Sequence, residues 1–305
     1  MKHEIKVTLL ILFIFVLTQI AGLSLLMEDI QYTSVSNETG EIIVVHSPAT
    51  EQARPDTKGF DSFTYLILGI VFATALLLVI IRFSKKNLWI GFYAFAVFTA
   101  LSIAISVLIE SMLIVYLLSA ALAFLKIWRP NFVIHNLSEI LVYSGIAILF
   151  IPLFSVFWMF VVLAIISVYD VIAVRKSKHM VKMAEFTAKS KLFPGITVPY
   201  KGKKISFGKL KELKTGSSSK GGSRTAILGG GDIVFPLIFS GVVLESLVAA
   251  GVPEIGAFFQ ALVITATTTI ALALLFFLAK KHRYYPAMPA LSAGCVVGWL
   301  ILLLF

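Results

Sequence analysis

Residues 226–248 read AILGGGDIVFPLIFSGVVLESLV. An apolar run of this length matches a helix crossing a bilayer, which needs about 20 residues. The run carries Asp232 near its start and Glu245 near its end, and Gly229, Gly230 and Gly231 stand directly before Asp232. An ionised side chain inside a membrane span costs several kcal/mol unless it is paired or used, so such an acid is a functional candidate by default. Glycines in a span let other chain segments approach closely and loosen the helix.

The rest of the chain has the same character. Of 305 residues, 59% are hydrophobic and 14% charged, and the mean hydropathy is +0.96. A soluble domain cannot hide that much apolar surface. Only helices and closed barrels cross a bilayer with the backbone satisfied, and long unalternating runs exclude the barrel pattern. Cys295 is the only cysteine, which rules out an intramolecular disulfide and a cysteine metal site.

Nine apolar runs can be marked: Val7–Met27, Ser62–Ile81, Leu88–Ile109, Ser111–Leu125, Phe132–Leu153, Val156–Val174, Ala226–Val248, Gly256–Ala279 and Pro289–Phe305. The third and fourth are divided at Glu110, because their joint length is twice a bilayer. The fifth and sixth are divided at Pro152, which disfavours a continuing helix. The first run follows Lys2 and Lys6 without a small-residue cleavage site and reads as a retained signal anchor. The fold class expected is an all-α polytopic membrane protein with nine transmembrane helices.

The net charge of +10 sets the orientation. Of 26 Lys and Arg, 14 lie between Arg175 and Arg224. With the N-terminus in the cytoplasm, inside segments carry 24 basic residues and outside segments carry 2, Arg54 and Lys58. Basic loops favour the cytoplasmic face, so the N-terminus is expected in the cytoplasm and the C-terminus outside. This placement of charge beside an anionic leaflet argues for a lipid bilayer as partner and against nucleic acid. The chain divides into a six-helix region (1–174), a basic cytoplasmic loop (175–225) and a three-helix region (226–305). The loop has helical character near Met180–Ala188 and a linker composition over Gly216–Ser223.

Two acids stand out. Asp170 lies five residues before Arg175, where the sixth run ends, and Asp232 lies eight residues after Arg224, where the seventh begins. At about 1.5 Å per residue both sit roughly 8–12 Å inside the same boundary. Their spans are consecutive and antiparallel, so the carboxylates can face each other. Two carboxylates about 3 Å apart share one proton. The ionised partner can then take a proton from water while the protonated one donates to a peptide carbonyl, with no covalent intermediate. The same pair would also serve a proton- or cation-coupled transporter or channel, and depth alone leaves that alternative open. Glu110, Glu139 and Glu245 read as interface or hydrogen-bonding residues.

Asp170 follows Tyr169, Asp232 closes Gly229-Gly230-Gly231-Asp232, and the last run opens with Pro289-Ala290-Leu291. Together and in this order, these motifs resemble the presenilin and signal peptide peptidase family of intramembrane aspartyl proteases, and the resemblance extends over nearly the whole chain. It implies that Asp170 and Asp232 are catalytic. It also implies that Tyr169, Gly229–Gly231 and Pro289, Ala290 and Leu291 shape the site or bind substrate. It further implies cleavage of single-span membrane proteins within the bilayer after local unwinding, with no cofactor and no metal. The lean loops resemble microbial, archaeal-type members, which implies a prokaryotic cell membrane and no obligatory accessory subunit, with self-assembly into a homo-oligomer left open. Presenilins place the loop between the sixth and seventh spans in the cytoplasm, so the charge count aligns this chain with them rather than with signal peptide peptidases. That alignment implies substrates whose N-terminus is outside. No His-Glu-x-x-His and no Gly-x-Ser-Gly occurs, so the zinc and serine classes of intramembrane protease fit poorly.

Overall fold

A computed structural model describes residues 5–35, 42–51, 57, 59–82, 86–129, 131–174, 194–199, 225–279 and 285–304. The elements in chain order are α1 (Ile5–Asp29), β1 (Ile30–Val35), β2 (Ile42–His46), a four-residue α2 (Pro48–Glu51), α3 (Phe60–Arg82), α4 (Lys86–Ser106) and α5 (Met112–Trp128). Then follow α6 (Phe132–Phe150), which runs into a 3₁₀ turn at Ile151–Leu153, and α7 (Val156–Ile172). After the basic loop come β3 (Gly195–Pro199), β4 (Thr225–Gly229), α8 (Gly231–Ala249), α9 (Glu254–Leu278) and α10 (Met288–Leu302). The readings made on Met180–Ala188 and Gly216–Ser223 lie outside the described residues.

Among the described residues each of the nine apolar runs contains one helix of 15 residues or more. Six are long and apolar enough to cross a bilayer (α1, α3, α4, the α6 segment, α8 and α9), and α5, α7 and α10 are shorter apolar helices. The chain is a multi-pass helical membrane protein. Its outer surface is correspondingly apolar: Phe13, Phe72, Leu113, Leu117, Phe259 and Leu278 are all exposed. In water such a surface would drive aggregation, whereas in lipid it is the solvent-facing side.

The expectation of a purely helical chain is corrected by two antiparallel ribbons, β1–β2 and β3–β4. The seventh apolar run does not begin its helix at Ala226, because residues 225–229 are strand and the helix starts at Gly231. A short apolar stretch reads equally as strand or buried helix from composition. Here β3 decides, pairing Gly195 with Gly229 and Ile196 with Leu228.

α6 and α8 form the enclosed centre, with α1 packed on both as well as on α9. Close approach is made at glycines. A Cβ at Gly22 of α1 would lie 2.5 Å from Leu237 of α8, and a Cβ at Gly145 of α6 would strike the Ala100 carbonyl of α4. On α10, Gly294 and Gly298 fall one turn apart and admit the α9 backbone. A Cβ at each would stand 2.8 Å from Thr268 Cα and 2.7 Å from Ile264 Cα. This small-x-x-x-small stripe replaces the hydrophobic effect, which lipid does not supply between helices. α7 packs on α10 and α8, and the Ser167 and Ser292 hydroxyls meet at 2.8 Å across the α7–α10 seam.

Polar clusters sit at both ends of the bundle. At the hairpin end, the buried His46 ring reaches Asp29 (2.9 Å) and Glu245 (3.3 Å), and Thr50 donates to Asp29 (2.5 Å). This joins the β1–β2 hairpin to the far end of α8. At the opposite end lie the β3–β4 ribbon and both aspartates.

Candidate active site

Asp170 occupies the last turn of α7 and is buried, 6% exposed. Its Oδ2 accepts a hydrogen bond from the backbone N–H of Met288 at 3.1 Å, and the Ala287 amide also points to it. These amides open α10. A helix N-terminus presents unpaired N–H groups and a partial positive charge, both of which suit a carboxylate. The Pro289 ring at the start of α10 costs no hydrogen bond, because N–H groups in the first turn have no partner within the helix. Asp170 therefore caps the helix that begins with the Pro289-Ala290-Leu291 motif. Leu291 is fully buried one turn in.

Asp232 occupies the first turn of α8 and is half-buried. Its carboxylate folds back over Gly229, where a Cβ would stand 3.3 Å from Oδ2. The Gly230 carbonyl starts the helix, accepting from Ile233 (3.1 Å) and Val234 (2.9 Å), while the Gly230 N–H donates to Pro194 (3.3 Å) and extends the ribbon by one bond. The three glycines are thus a strand-to-helix junction rather than a loosened stretch of helix. Gly231 is exposed, with room around it. Inside α8, Pro236 cannot donate to the carbonyl four residues back, that of Asp232. Beside that weakened turn, Gln19 of α1 donates to the Ile233 carbonyl at 3.0 Å.

α7 and α8 bring the two aspartates within electrostatic reach of each other. Of the other residues singled out in the sequence, Gly229 and Gly230 line the Asp232 side, and the start of α10 lines the Asp170 side. Tyr169 is 50% exposed, on the side of α7 away from the buried Asp170.

Sequence reasoning missed a polar face on α6. His135 Nε2 bonds the Gly195 carbonyl (2.9 Å). The Asn136 amide pairs with both the C=O and N–H of Thr197 (3.0 and 3.1 Å), acting as a third strand against β3. Glu139 forms a buried ion pair with Lys126 of α5 at 2.8 Å, where the two side chains are 2% and 1% exposed. The Tyr93 hydroxyl of α4 stands 3.5 Å from the same carboxylate. Tyr143, two turns above His135, packs its ring on Gly230. Lys126, counted by sequence as a loop charge, lies inside the last turn of α5. The available signal was the spacing of polar residues along an apolar run (135, 136, 139, 143), which places them on one helical face.

The model of the signal peptide peptidase and presenilin aspartyl protease family matches residues 12–305. The chain belongs to this family. No curated protein matches it. Two solved structures of a presenilin-family intramembrane aspartate protease are similar in fold. The first, in a C222 crystal form, has a TM-score of 0.62 at 18% identity, with 96% of this chain and 97% of that one covered. The second, in a P2 form, has a TM-score of 0.59 at 18% identity, with 96% of each chain covered.

Proposed function

We propose that this chain is an intramembrane aspartyl protease that hydrolyses peptide bonds within transmembrane segments of single-span membrane proteins. The observation that carries the reading is the approach of Asp170 and Asp232 at one end of an apolar helical bundle, within a family of aspartyl proteases. The pair holds one proton. Its ionised member takes a proton from a water molecule as the oxygen attacks the peptide carbonyl, and its protonated member gives its proton to the carbonyl oxygen. The resulting gem-diol collapses, the C–N bond breaks, and the proton held by the first carboxyl passes to the leaving nitrogen. The remaining gem-diol proton returns to the pair, so no covalent intermediate and no cofactor enters the scheme. Two roles shared by two like groups require a bell-shaped dependence of kcat/KM on pH, falling on both flanks.

The nine helices cross the membrane with the N-terminus and the basic loop in the cytoplasm and the C-terminus outside. The 24-to-2 distribution of basic residues supports this topology, and the basic loop joins the helix ends that carry both aspartates. Cysteine labelling from each side of sealed vesicles, at 58 and 209 in turn, tests it, and labelling of both positions from one side would sink it. The activity is tested by adding a single-span substrate to the full chain in liposomes. Product formation by the wild type, and none by Asp170→Asn or Asp232→Asn, is expected. Retained cleavage in either variant would overturn the assignment.

A further inference from the structure

Gly230 has φ −62° and ψ −36°, a conformation open to any L-residue. Its backbone therefore does not call for glycine, but its surroundings do. A Cβ here would lie 2.9 Å from both Cε1 and Oη of Tyr143, closer than carbon atoms pack. The ring is not free to swing away, because Tyr143 is 3% exposed on the enclosed helix α6. One turn earlier on the same face, Glu139 is tied to Lys126 and approached by Tyr93. The Tyr143 hydroxyl is close enough to Glu139 and to Asp232 for both charges to act on it. One further turn back, His135 and Asn136 hold β3, whose partner strand ends at Gly229. α6 therefore grips the strand-to-helix junction from both sides, two residues before Asp232.

We propose that Tyr143 is a positioning residue. Its ring, backed by the Glu139–Lys126 pair, sets the path of the chain at Gly230 and thereby aims the Asp232 carboxylate at Asp170. This inference deepens the protease reading and rests on it for its catalytic consequence. The ionisable groups acting on the hydroxyl are Glu139 from α6, Tyr93 from α4 and Asp232 from α8, with Lys126 and His135 behind Glu139 and Asp170 of α7 acting on Asp232.

The test is a double-mutant cycle on the full chain in liposomes, with Gly230→Ala, Tyr143→Leu and the pair, read by kcat, KM and thermal unfolding. Gly230→Ala is expected to lower kcat by about tenfold or more, since small misplacements at a reacting centre are costly. Truncating Tyr143 in that background is expected to restore kcat by about threefold or more, because residues in contact couple non-additively. The same coupling is expected in Tm, where Tyr143→Leu recovers part of the loss caused by Gly230→Ala. Tyr143→Phe keeps the ring and the fold but removes the hydroxyl beside Asp232, so it is expected to move one limb of the pH–rate profile by about half a unit or more at unchanged Tm. Strictly multiplicative effects in the cycle, or a Tyr143→Phe profile superimposable on wild type, would overturn the proposal. If wild type does not cleave at all, the protease reading fails, while the Tm cycle still decides whether Tyr143 and Gly230 are coupled.

Discussion

The two ends of α8 are held by different means. At the hairpin end, Glu245 meets a histidine that bridges to Asp29, with distances of 3.3 and 2.9 Å and polar partners supplied by α1, β2 and α2. At the other end, the helix starts from a strand, and its first acid folds back on the Gly229 backbone. Among the described residues, Lys126 of α5 is committed to Glu139. The difference shows two ways of holding an acid at the ends of one helix. Glu245 meets the His46 ring through Oε1, while its Oε2 has no hydrogen-bond partner among the described residues. Asp232 stands beside the Gly229 backbone, next to the junction that the Tyr143 ring touches and within reach of the Asp170 charge, and under the proposed reading water and substrate complete its surroundings.

The comparison can be broken most severely at the aspartates. Asp170→Asn and Asp232→Asn are each expected to reduce cleavage by about a thousandfold or more, the scale of lost general acid–base catalysis, while thermal unfolding shifts little. Equal loss with intact folding sharpens the contrast between the ends, and residual activity above about a tenth of wild type removes it. Next comes the ion pair behind the site. Glu139→Ala leaves Lys126 buried and unpaired, with an expected destabilisation of about 3–5 kcal/mol, measured by unfolding in detergent. Replacing both partners with Lys126→Met and Glu139→Leu is expected to recover most of that loss.

A smaller effect is expected at the hairpin end. His46→Ala removes the bridge between Asp29 and Glu245 and leaves buried acceptors unsatisfied, a cost of about 1–3 kcal/mol, yet kcat is expected to stay within about twofold of wild type because the change lies at the opposite end of α8. A large loss of kcat without loss of Tm would show that the two ends communicate. The least effect belongs to Ser167→Ala, which removes one hydrogen bond across the α7–α10 seam, worth about 0.5–1.5 kcal/mol. A fall in kcat beyond that stability change would show that the seam also aligns Asp170 with α10.

Much of the architecture was legible in the order of residues. All nine apolar runs correspond to helices, and the divisions placed at Glu110 and Pro152 fall where α4 gives way to α5 and α6 to α7. Legibility failed in two places for one reason. Residues 226–229 were read into the seventh helix, although they pair with Val198 to Gly195 across the basic loop. Glu139 was read as an interface or hydrogen-bonding acid, and what the sequence did not supply was its partner, Lys126 of α5. In both cases the deciding partner lies on another element. The Gly294–Gly298 stripe and the spacing of His135, Asn136, Glu139 and Tyr143 were visible as patterns, but nothing local says what either one touches.

By itself the sequence determined that this chain belongs in a bilayer, roughly where its helices run, and which family its motifs resemble. Hydrocarbon imposes those features segment by segment, because each span must satisfy its own backbone and shed its charges. Only the tertiary structure decided that Asp170 caps α10, that the three glycines form a strand-to-helix junction, and that Tyr143 stands against the middle one. Those contacts join residues as much as 118 positions apart, and they depend on how helices pack, which the apolarity of each helix does not encode.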